Sequence, residues 1–160
     1  MKFSFENLPK SVEEMIKLEE YGLETPFATA ALTVLSLDVY SSNKDEGIKM
    51  LNTLKGPKEL STYEISFLKD RFASKDYVPR SYYMGATPEN NYEGLKPYVL
   101  DVLENPYSYN EDGYATLYIT SGGADSPRSI KLRKKDDKWY LWEQMLLADI
   151  RKPASEDEWV

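Results

Sequence analysis

The chain has 160 residues and a net charge of −7, and it contains neither cysteine nor histidine. Disulfides, thiolate nucleophiles, cysteine-bound zinc, protein-ligated iron–sulfur clusters, imidazole bases and histidine-held metals are thereby excluded. The acidic balance argues against a nucleic-acid partner, because phosphate binding rests on clustered cations.

Four helices are predicted in the first half. Ser11-Val12-Glu13-Glu14 has the form of a capping box and opens a helix that Tyr21-Gly22 ends. Thr25-Pro26 supplies a cap followed by proline, a strong start for a second helix. Its apolar set Phe27, Ala30, Ala31, Val34, Leu35 and Leu37 covers more than one face, which predicts a buried central helix. Asn43 starts a third, closed by Gly56-Pro57, and Ser61 with Glu64 starts a fourth. These starts are unevenly spaced and their linkers differ, so a helical repeat array is rejected.

After Lys75 the period changes from helical to alternating. Residues 77–84 read as an extended segment, with Pro79 confining it to an edge or a strand start. A polar loop rich in turn formers runs from Gly85 to Pro97. Strands follow at 98–104, 114–121, 129–133 and 139–144, joined by turns too short for a parallel crossover. The last strand carries Trp139 on one face and Tyr140 and Trp142 on the other, which predicts a central strand covered on both sides. The fold class is therefore α+β, with N-terminal helices packed on one face of a C-terminal antiparallel β-meander. One domain over 1–152 is expected, helical over about 11–75 and sheet over about 77–150. An acidic tail at 153–160 is expected to fray, with Trp159 either docked or exposed.

The N-terminal residues Met1–Glu6 lack the apolar run of a signal peptide, and the longest apolar stretch, Phe27–Leu37, is too short to span a bilayer. The expectation is a cytoplasmic protein without a membrane partner. No motif asks for a cofactor or a metal. Asn110–Gly113 lacks the alternating ligands of a calcium loop.

Several segments are candidates for function. The 13 tyrosines each bury a ring but need a partner for the hydroxyl. Arg80, Tyr82, Tyr83, Asn90, Asn91 and Tyr92 flank or lie in the long loop, and with Arg128 they are assigned to one binding surface. The competing view is a structural loop whose asparagines cap its own turns. Ser121–Arg128 reads as a wide hairpin turn, or as a backbone concavity for an anion. Residues 128–138 carry Arg128, Lys131, Arg133, Lys134, Lys135 and Lys138 against Asp136 and Asp137. This is an anion-binding strip, or else a strand pairing with acidic neighbours. Glu143 on the last strand is the alternative general acid or base, unless it pairs with Lys131 or Arg133.

The runs Tyr82–Tyr92, Ser121–Arg128 and Trp139–Gln144 resemble an uncharacterised bacterial family of unknown function. The resemblance covers most of the chain and implies a bacterial origin, with no catalytic residues to carry over. The order of elements is loosely similar to the cystatin and nuclear-transport-factor-like architecture, although four helices ahead of an unbroken meander depart from it. The function expected is a non-enzymatic binding module. Its partner is a protein or small molecule, a second copy of the chain among the candidates. A carboxylate-dependent enzyme acting on a sugar-like or other polyhydroxylated substrate is the alternative.

Overall fold

The computed structural model describes residues 1–159. Five strands, β1 (Lys2–Phe5), β2 (Tyr98–Leu103), β3 (Tyr114–Ile119), β4 (Arg128–Lys135) and β5 (Lys138–Gln144), form one antiparallel sheet in chain order. Between β1 and β2 come the short α1 (Val12–Met15), then α2 (Pro26–Ser42), α3 (Lys44–Lys55) and α4 (Thr62–Phe72). The predicted α+β class and its antiparallel meander are what the chain forms.

Side-chain caps start the helices. Thr25 Oγ1 accepts the Ala28 amide, Asn43 Oδ1 accepts that of Glu46, and Ser61 with Glu64 makes a reciprocal box. Ser11 also caps, but Glu14 turns to the Lys10 amide, and α1 is a single turn followed by a 3-10 turn at Glu19–Gly22. The longer first helix expected from the sequence is corrected accordingly.

Helix α2 is the central buried helix, with Ala30, Leu32, Val34, Leu35 and Leu37 all at 1% exposure or less. It lies across β2 to β5, meeting the inward residues Leu100, Val102, Leu117, Ile130, Leu132 and Leu141 in one core. Thr29, Thr33 and Ser36 sit in the same buried helix. Thr33 and Ser36 return their hydroxyls to carbonyls one turn back, and Thr29 donates to the Trp139 carbonyl at 2.7 Å.

Three expectations are corrected here. Residues 77–84 are not a strand: Pro79–Tyr82 form a 3-10 turn. Strand β5 is an edge, not a centre, and Trp142 is its bulge, since Leu132 pairs with Leu141 while Lys131 pairs with Glu143. The tail is docked at its start: Pro153 is buried, Ala154–Glu156 form a 3-10 turn, and Ser155 donates to Asn91 at 2.7 Å. Trp159 beyond it is 90% exposed, and Val160 lies outside the described residues.

Strands β2 and β3 pair at only two positions and then splay. Residues 81–86 occupy the gap, where Met84 donates its amide to the Val99 carbonyl and the Ser81 carbonyl accepts the Gly122 amide, both at 2.8 Å. The approach is so close that a Cβ on Gly122 would lie 1.9 Å from the Ala86 carbonyl oxygen. The Ser121–Arg128 connection is therefore packed against the loop rather than opened as an anion cradle.

Candidate functional site

The structure sends the seven residues assigned to a binding surface to internal partners. Tyr82, Tyr83 and Tyr92 are 2%, 3% and 0% exposed, so their assignment to an accessible binding surface is corrected. The reason is hydrogen bonding to distant main chain. Tyr82 donates to the Leu146 carbonyl, Tyr92 to that of Arg151, and their neighbour Tyr77 to that of Ile150 at 3.2 Å. Burial pushes the phenol of Tyr92 up to about 12 and that of Tyr82 still further.

The remaining four are also internal fasteners. Arg128 donates Nε to the Ala148 carbonyl at 2.8 Å and Nη2 to that of Asp149 at 3.0 Å. Asn90 accepts the Thr87 amide and donates to the Gly85 carbonyl, so the loop caps itself. Asn91, at φ 57°, receives Ser155, and Arg80 is half-buried with a long bond to the Asp76 carbonyl. The three phenols and Arg128 clamp the segment 146–151, and Asn91 holds its continuation at Ser155.

The accessible chemistry lies elsewhere, where the end of α3 and the start of α4 face β5. A recess of about 600 Å³ opens there, within the size range of small-molecule sites. Its cations are Lys55, Lys58, Arg133, Lys134 and Lys135, its carboxylates Glu59 and Glu64, and Tyr140 and Trp142 are part of its wall. The predicted basic strip on β4 thus gains Lys55 and Lys58 from the helical half of the chain. The basic run over 128–138 had marked Arg133, Lys134 and Lys135, whereas Lys55 and Lys58 are legible only as a helix end and its linker.

The aromatic wall is continuous with the outer face of the sheet. The Arg133 guanidinium lies 4.8 Å from the Trp142 ring centre and 5.4 Å from that of Tyr114, and these two rings meet edge-on. Lys131 sits over Tyr114 as well and donates to Glu111 at 2.5 Å. Glu143 stands opposite Lys131 in the β4–β5 register and is exposed, so its predicted removal from solvent is corrected; the ammonium of Lys131 goes to Glu111.

A second recess of about 350 Å³ continues from the first and shares Lys55, Glu64, Leu141 and Trp142 with it. Its floor is apolar: Leu37, Leu51, Leu68 and Leu141 are each 4% exposed or less. Lys55 stands at the junction, donating to Glu64 at 2.9 Å and to the Trp142 carbonyl at 3.1 Å. Burial would raise the Glu64 carboxyl. The Ser61 amide and the Lys55 ammonium outweigh it and hold the group below its ordinary value. A carboxylate kept ionised in this way neutralises Lys55 rather than storing a proton for transfer.

Among the described residues no cluster of three acidic side chains is placed to hold a metal ion. None of the described helices is long and apolar enough to cross a membrane.

No curated protein and no solved structure matches the chain. One family model does match, over residues 7–154, and so over nearly the whole length. With its fold set out and its polar loop shown to be a clamp, the chain belongs to the family described as Domain of unknown function (DUF6935).

Proposed function

We propose that this chain is a non-enzymatic binding module for an anionic ligand, held in the recess between residues 55–64 and β5. The observation that carries the reading is the concentration of five cations against two carboxylates in one recess of a chain whose net charge is −7. Lys55 is committed to Glu64, and Lys135 pairs with Asp136 at 3.4 Å. Lys58, Arg133 and Lys134 remain as exposed donors around the opening. A cleft lined by one sign of charge with low-dielectric walls concentrates ligands of the other sign. The aromatic wall of Tyr140 and Trp142 adds contact area with little rotamer entropy to lose. The proposed binding surface thus moves from the tyrosine-bearing segment, whose phenols already have partners, to the β5 side.

Calorimetric titration with pyrophosphate at low ionic strength tests the reading. Saturable binding is expected, weakened at least tenfold in the double variant Lys58→Glu, Lys134→Glu. Both positions are exposed, so the melting temperature should stay within a few degrees. Absence of saturable binding, or equal affinity in the double variant, would refute it.

A further inference from the structure

The two recesses differ in chemistry yet are one groove. The 600 Å³ lobe carries the cations, and the 350 Å³ lobe has a leucine floor, a Phe67 wall and an open rim at Tyr63 and Met145. Tyr63 is 77% and Met145 55% exposed, an unusual placement for large apolar groups flanking a floor that is itself nearly dry. Among the described residues, Lys55 is the one cation lining both lobes. Its methylene stem lines the apolar side while its ammonium is anchored at Glu64 and the Trp142 carbonyl.

Resting on the anion-binding reading above, we propose that the ligand is a single-chain anionic amphiphile, with a carboxylate head in the cationic lobe and an unbranched acyl chain along the leucine floor. Charge complementarity fixes the head as an anion. A purely hydrophilic anion would leave Tyr63, Phe67 and Met145 uncovered, and a neutral apolar ligand would bring no anion to Lys58, Arg133 and Lys134, whose charges are met at most by aromatic faces. An acyl chain emerging from a charged head spans both lobes across the shared Lys55 and Trp142. The amphiphile is taken as a dissolved monomer: the apolar floor lies between α3, α4 and β5 as a recess, rather than standing out as a convex face that could press into a bilayer.

Calorimetric titration of the full chain with butanoate, octanoate and 1-octanol, all below micelle formation, tests this. Full burial of one methylene is worth about fourfold in affinity, so octanoate should bind at least tenfold more tightly than butanoate. It should also bind at least tenfold more tightly than 1-octanol. Met145→Glu, at an exposed rim position, should weaken octanoate and leave butanoate unchanged. If butanoate and octanoate bind equally and both lose affinity in the Lys58→Glu, Lys134→Glu variant, the amphiphile proposal falls while the anion reading stands. If 1-octanol equals octanoate and the charge reversals change nothing, the anion reading itself falls. Binding to phosphatidylglycerol vesicles without any binding of monomeric octanoate would replace the proposal with a membrane surface.

Discussion

Tyr83 donates its hydroxyl to Asp38 Oδ2 at 2.8 Å, joining the long loop to a carboxylate on the central helix. Burial raises the Asp38 carboxyl above its ordinary value, with the Tyr83 hydrogen bond and the nearby Arg80 charge only partly offsetting it. A folded-state value above the unfolded one means that this group favours folding below the unfolded value and loses that contribution as pH rises through the folded value. At neutral pH, above the unfolded value, Asp38 is therefore a cost to stability. Asp38→Asn should raise the melting temperature at pH 7, and the advantage should disappear near pH 4. Calorimetry at the two pH values checks this, and a variant less stable at pH 7 would contradict it.

The phenol clamps are local in their effect. Tyr82→Phe and Tyr92→Phe keep the rings and remove only the hydroxyls that meet the Leu146 and Arg151 carbonyls. Each should cost about 1–2 kcal/mol, the usual loss when a buried hydrogen bond is broken. Hydrogen exchange should quicken first at 146–151, with amides of α2 less affected. Uniform quickening would show that the segment does not open as a separate unit.

Glycine inside a helix ordinarily costs 0.5–1 kcal/mol relative to alanine, so Gly47→Ala in α3 would be expected to stabilise. The packing predicts the reverse, because a Cβ at this position would lie 2.4 Å from Tyr40 Cα. Backbone cannot yield as a side-chain tip can, and α2 and α3 would have to separate. A loss of about 1–3 kcal/mol is expected, within the range for overpacking. Urea denaturation measures it, and a gain in stability would show that the helices have room to shift.

What was legible in the sequence is what depends on near neighbours. The caps at Thr25, Asn43 and Ser61 each act within three residues, and each starts a helix where the sequence places it. Strand β3 also forms where the sequence places it, with Ala115, Leu117 and Ile119 alternately buried, because it pairs with β4 along its whole length without a bulge. Strand β1 was not legible: its four residues pair with a strand near residue 100, a partner that nothing local marks. The position of β5 was misread because aromatic residues on both faces suggest cover on both sides. In fact the start of α2 covers Trp139, and the bulge turns Trp142 outward.

The candidate site was harder to read for the same reason. A phenol announces that it needs a hydrogen-bond partner, yet the partners of Tyr77, Tyr82, Tyr83 and Tyr92 lie 45 to 73 residues away. Glu64 carried a signal, but it was spent on the capping box with Ser61, and the Trp142 carbonyl that Lys55 meets beside it lies 87 residues away. The basic run on β4 was visible. Its partners across the recess were not.

The segment 146–151 is held through its carbonyl oxygens, by three phenols and one guanidinium. Main-chain oxygens are the same in every amino acid, so the grip is blind to which residues occupy the held positions. The half-buried Ala148 is consequently free to vary, whereas the grip depends on the identities of the four residues that supply it. The acceptor strip and its holders thus face opposite tolerances for amino-acid replacement within a single fastening.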